Sequence, residues 1–174
     1  MITQEYLKSI LDYDPLTGVF TWKERQICDF NCERLRNGWN TKYSFKSAGR
    51  IKNDGYIQIG INGKRHAAHR LAWFYIYGEW PKNDIDHING FRNDNRLSNL
   101  REATRGENMQ NQNETHKNSN CKYLGVYFCN RSKRFVSLIG VNNKKKYIGK
   151  FSTPEAAHEA YLKAKRELHE FCTI

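Results

Sequence analysis

Residues 84–99 read Asp84-Ile85-Asp86-His87-Ile88-Asn89-Gly90-Phe91-Arg92-Asn93-Asp94-Asn95-Arg96-Leu97-Ser98-Asn99. The first four residues predict a short extended segment, Asn89-Gly90 a turn, and the remainder a loop dense in Asn and Asp. Asp86 and His87 are neighbours at the end of that strand, where successive side chains point to opposite sides. One can hold a cation while the other turns to a different atom. Asn99 follows twelve residues after His87, and Asn108 nine after Asn99 on an expected helix that resumes near Asn99 or Thr104 and runs to about Asn111. A strand hairpin followed by a helix can bring Asp86 and Asn108 together. Both offer oxygen, which suits a hard divalent cation. Phosphodiester cleavage needs a base for water, a cation for the developing charge, and a group that sets the base's tautomer. His87 fits the base, Asp86 and Asn108 the cation, and Asn99 the brace of His87 or of the loop. By spacing alone an Asp-His pair in a loop is more often ordinary surface chemistry.

Working outward, Tyr56–Ile61 alternates with period two, Asn62-Gly63 is a hairpin turn, and Lys64–Ala67 is the return strand. Residues 68–77 then predict a helix with Leu71, Phe74 and Tyr75 on one face, closed by Gly78 and Pro81. Further upstream, residues 3–13 place Tyr6, Leu7, Ile10 and Leu11 at helical spacing with Thr3 as N-cap. Asp14-Pro15-Leu16-Thr17-Gly18 is a turn, and Val19, Phe20 and Trp22 a short strand. Residues 24–48 give no assignable pattern, and Trp39 and Phe45 suit either a core or a DNA contact.

Downstream, residues 112–120 hold no apolar residue and predict a linker. Residues 123–128, 134–141 and 145–151 predict three antiparallel strands, with Asn142-Asn143 as a turn. Ser152-Thr153-Pro154-Glu155 starts a helix. Ala157, Tyr161, Ala164, Leu168 and Phe171 form its apolar stripe. The expected organisation is an N-terminal helix, hairpin and irregular segment (1–49), a nuclease-sized centre (50–111), the linker (112–120) and a βββα tail (121–174).

Composition bounds the partners. The 174 residues carry 29 Lys+Arg against 18 Asp+Glu, a net charge of +11. Residues 1–50 and 51–110 are each net +2, and residues 111–174 net +7. An anionic partner is implied, nucleic acid above all, and the tail is its anchor. Aromatics at 13% argue against disorder. Mean hydropathy is −0.84, with no run long enough to span a membrane. The opening MITQEYLK carries Glu5 and no apolar core, so no secretory signal is expected. Five cysteines, an odd number, suit reduced thiols in a cytoplasm. Cys28 and Cys32 have no second close pair, so incidental thiols are preferred over structural zinc.

The strings His69-Arg70-Leu71-Ala72-Trp73, Asp86-His87-Ile88-Asn89-Gly90 and Asp94-Asn95-Arg96-Leu97-Ser98-Asn99-Leu100-Arg101 together resemble the HNH family of phage and intron-associated homing endonucleases, over roughly residues 50–111. The resemblance implies an α+β chain with a ββα-metal nuclease core, phage-encoded and working in a bacterial host cytoplasm. It implies His87 as general base, Asp86 as metal ligand and Asn99 as the loop brace. Asn108 stands where many members carry a third His, and the phage homing subgroup is similar in using Asn. An amide oxygen favours Mg²⁺ or Mn²⁺ over softer ions. Arg70, Arg92 and Arg96 are candidate DNA contacts. His69 is expected to be structural or to meet phosphate rather than to catalyse.

The tail, through Tyr123–Tyr127, Phe135–Ile139, Tyr147–Phe151 and Thr153–Ala157, resembles the Apetala/ethylene-response-factor DNA-binding domain. That implies a three-stranded sheet in the major groove, packed on one helix. Tyr127, Arg131, Lys133, Arg134, Lys144, Lys145 and Lys146 are the candidate contacts. The family's strand-two tryptophan is Phe135 here, so no base preference carries over. The expected function is a metal-dependent endonuclease that nicks or cuts duplex DNA, as a monomer, with dimerisation the route to double-strand cutting. The alternatives are a DNA-binding regulator with a degenerate nuclease core and, more weakly, an RNA-binding protein.

Overall fold

The computed structural model describes residues 2–112, 115, 121–141 and 144–173. The chain divides into two compact units, Met1–Glu102 and Ala103–Ile174.

The first unit opens with α1 (Gln4–Ile10), capped by Thr3, whose hydroxyl accepts from the Tyr6 N–H. The expected helix over 3–13 ends early. Leu11 turns extended (φ −130°) and starts β1 (Leu11–Asp14), which pairs antiparallel with β2 (Val19–Trp22). Helical spacing and strand pairing compete for Leu11, and burial of Leu11 and Tyr13 through the hairpin decides it. Asp14 closes the intervening turn by accepting from the Leu16 N–H and the Thr17 hydroxyl. The patternless stretch after it contains a helix, α2 (Glu33–Tyr43). Its Trp39 packs partly buried against the core, whereas Phe45 just beyond it is 78% exposed.

A three-stranded sheet follows, ordered β3 (Arg50–Ile51), β4 (Ile57–Ile61), β5 (Lys64–Ala67). The turn at Asn62-Gly63 has the positive φ at both positions (49° and 74°) that its sequence predicts. Next comes α3 (Ala68–Tyr77), stopped by Gly78 in the left-handed conformation. Leu71 and Phe74 of α3 are buried and Tyr75 is half-buried. The decisive stretch forms β6 (Asp84–His87), which pairs with β7 (Leu100–Ala103). Of the two helix starts expected, near Asn99 or Thr104, the strand at 100–103 rules out the first and the second holds. Leu100 and Ala103 are buried on opposite faces of the strand, a spacing of three that reads as helical in the sequence. One core unites all of this: Leu7, Ile10, Phe20, Ile59, Leu71, Ile85 and Leu100 are among its members.

The second unit begins with α4 (Arg105–Gln110), whose Thr104 and Glu107 form a reciprocal capping box. The sheet that follows has the order β10-β9-β8, from β8 (Val126–Cys129), β9 (Arg134–Val141) and β10 (Lys144–Phe151), antiparallel throughout. The first of these strands starts three residues later than expected, because Gly125 sits at φ 75°. A Cβ at Gly125 would collide with the Tyr161 ring, so only glycine lets the helix lie so close. The turn expected at Asn142-Asn143 and most of the expected linker lie outside the described residues. Helix α5 (Pro154–Leu168), capped by Thr153, packs against all three strands. Its stripe holds at Ala157 and Tyr161. Beyond them the fully buried position is Lys165 rather than Ala164, and Leu168 is half-buried. The Lys165 ammonium donates to the Gln112 carbonyl at 2.6 Å, which supplies a partner for a charge out of water.

Candidate nuclease centre

Strand β6 delivers Asp86 and His87 as neighbours, and both are buried (5% and 4% exposed). They turn to different partners. The Asp86 carboxylate accepts from Arg101 of β7 through Nε at 2.9 Å and Nη2 at 2.7 Å. Both nitrogens converge on one oxygen, Oδ2, in a charge-assisted contact. The His87 ring meets Asn95 instead, with Nε2 3.2 Å from Asn95 Oδ1. Burial pushes the His87 imidazole below the usual histidine range, against the opposing pull of the Asn95 hydrogen bond and of Asp86 and Asp94. Its neutral form, the one that accepts a proton, is therefore favoured at neutral pH.

Two further rings enclose His87. The His69 ring from α3 stands edge-on at 5.1 Å, and Tyr56 lies 5.8 Å from His87 and 5.2 Å from His69. Burial, then the charges of His87 and Arg70, hold His69 down to about 3. Its Nδ1 is buried with no hydrogen-bond partner among the described residues. A neutral His69 brings no positive charge to a phosphate, and it acts on this centre as a packed ring.

The Asn99 side chain serves the loop. Its Oδ1 accepts from the Asn89 N–H at 2.9 Å and its Nδ2 donates to the Asp94 carbonyl at 2.8 Å. Asn99 thus ties both ends of the 89–94 loop, while Asn95 meets the imidazole. Asp94 is itself held to about 2 by its hydrogen bonds from Arg96, with Asn89 adding to the effect. Arg96 is spent on that pair at 2.6 Å. Arg70 donates to the carbonyls of Pro81 and Asn83, both at 3.1 Å. Arg92 donates to the Asp54 carbonyl and lies over the Tyr56 ring, yet remains exposed. Arg92 and Arg96 are both exposed, whereas Arg70 is half-buried.

Asn108 is half-buried on α4 in the second unit. Among the described residues no group of three or more His, Cys, Asp or Glu is arranged to hold a metal. In the second unit Tyr127, Arg131, Lys133, Arg134 and Lys144–Lys146 are all exposed. The three lysines lie on β10 itself, opposite Val141, Gly140 and Ile139. Among the described residues no helix is long and apolar enough to cross a membrane.

Asn95, Arg101, Tyr56 and Tyr13 join the surroundings of Asp86 and His87 without a role expected of them from the sequence. Only Arg101 carried a usable signal, since alternate positions across a strand pair offer a partner to Asp86.

Residues 66–110 match the family model described as HNH endonuclease. No curated protein matches the chain. One solved chain, described as "DNA binding and cleavage by the HNH homing endonuclease I-HmuI", is similar over 95% of this chain and 92% of its own. It is 18% identical with a TM-score of 0.42.

Proposed function

We propose that the protein is a metal-dependent DNA endonuclease of the homing type, hydrolysing a phosphodiester of duplex DNA. The observation that carries the reading is a buried, neutral His87 beside the Asp86 carboxylate, on a hairpin whose loop is tied by Asn99. In this reading β6, β7 and α4 make the ββα-metal unit. His87 takes the proton of the attacking water. Asp86 and Asn108 would hold Mg²⁺ or Mn²⁺, which supplies positive charge for the scissile phosphate and leaving oxygen when bound. The Arg101 guanidinium fixes the orientation of Asp86. Arg92 and the exposed cations of the βββα tail grip the DNA backbone, and the tail sheet enters a major groove in the Apetala/ethylene-response-factor manner. The protein acts as a monomer in a bacterial cytoplasm, nicking one strand per encounter.

Supercoiled plasmid incubated with Mg²⁺, Mn²⁺ or chelator tests this. Nicked product that requires the metal and disappears with His87→Ala is expected. Cutting that survives His87→Ala would remove His87 from the role of base.

One observation favours a second reading, a DNA-binding regulator with a degenerate centre. Arg101 already neutralises the carboxylate that a cation would need. That reading predicts tight DNA binding with no cleavage under any metal.

A further inference from the structure

We propose that Tyr13 and Asn95 are positioning residues for His87. The N-terminal hairpin holds the Asn95 backbone, and the Asn95 side chain holds the imidazole. Neither residue touches the reacting atoms.

Three contacts tie the β1–β2 hairpin to the loop segment 95–97. The Tyr13 hydroxyl donates to the Asn95 carbonyl at 2.7 Å, with both groups buried. The Pro15 carbonyl accepts from the Leu97 N–H at 3.0 Å. Gly18, at φ 73°, lies so close that a Cβ there would collide with the Arg96 nitrogen and the Asn95 carbonyl carbon. Asn95 is 1% exposed and Tyr13 5%. Loops of this polarity normally lie at the surface. This one is pinned by a segment more than 70 residues away in sequence.

The pinned residue is the one that meets the base. An amide oxygen facing Nε2 accepts a hydrogen bond from its N–H, so the ring is held as the Nε2–H tautomer with the lone pair on Nδ1. A base that must take a proton from water needs that lone pair fixed in one place. The Asn95 Nδ2 is buried with no hydrogen-bond partner among the described residues, a cost that the fold tolerates at this position. Residues 66–110, which match the nuclease family, contain Asn95 but not Tyr13. The centre is thus completed by a part of the chain outside that match.

The role in catalysis rests on the nuclease reading, whereas the tautomer does not, and the test separates them. ¹⁵N spectra of the full-length protein at neutral pH report the ring tautomer, with His87 identified by the signals lost in His87→Gln. The Nε2–H form is expected in the wild type. A mixture of tautomers is expected in Asn95→Ala. Wild-type and Asn95→Ala spectra with the same tautomer overturn the proposal whether or not the protein cuts DNA. In plasmid cleavage, Asn95→Ala and Tyr13→Phe should lower kcat about 10- to 100-fold with KM for DNA unchanged. A rise in KM at constant kcat, or a fall in melting temperature with normal kcat, also overturns it. A wild type that shows the tautomer but no cleavage refutes the nuclease reading and leaves the geometric pairing standing.

Discussion

Asp86 and His87 are adjacent in sequence, yet burial gives them opposite tasks. Asp86 pairs with Arg101, while burial pushes His87 below the usual histidine range in a cluster with Tyr56 and His69. Breaking the first pair leaves a buried carboxylate without its guanidinium. Arg101→Met should therefore cost about 2 kcal/mol of stability in urea unfolding, less than a fully buried pair because Arg101 is partly exposed. His69 gives a pH prediction. Its folded value is about 3 and its unfolded value is near 6.5, so between those limits the unfolded chain binds the extra proton. Stability is fully present above that range and is lost as pH falls through it. Tyr56, His87 and Arg70 surround the ring, and His87 titrates in the same sense. His69→Gln should flatten the loss of unfolding free energy between pH 7 and pH 5. An unchanged slope would show that His69 is not the group responsible.

At the scale of elements, two glycines mark where one element rests on another. Gly18 seats the β1–β2 turn against the Asn95–Arg96 backbone, and Gly125 seats α5 on the start of β8. Both have positive φ. Gly18→Ala combines backbone strain with a collision against main chain, which cannot move aside as a side chain could. A loss of about 2–3 kcal/mol in chemical denaturation is expected. The hairpin turns at Asp14–Gly18 and Asn62-Gly63 were legible because the residues that favour such turns act locally. The end of α1 at Ile10 and the strand at Leu100 were not. Leu11 and Leu100 satisfy helical and strand spacing equally, and only the strand opposite decides between them.

Across the whole molecule, charge and chemistry are separated. Residues 111–174 carry net +7, while residues 51–110, with the Asp-His pair, carry net +2. If Lys144, Lys145 and Lys146 each meet a phosphate, changing all three to Ala should reduce the slope of log K against log salt by about 3. Fluorescence anisotropy with labelled duplex checks this. An unchanged slope would make the β10 lysines bystanders.

Composition, turn residues and local periodicity depend on near neighbours, so the sequence by itself determined the two sheet-bearing regions, the excess of positive charge and the adjacency of Asp86 and His87 at a strand end. Several Asn residues stand within a dozen positions of His87, and no local rule separates them. Only the tertiary structure decided that Asn95 meets the imidazole while Asn99 ties the loop. It also decided that the first 22 residues belong to the same core as the nuclease hairpin. The physical reason is that these choices rest on burial and on hydrogen bonds between segments as many as 82 residues apart, such as Tyr13 to Asn95. Such contacts leave no periodic trace in either segment alone.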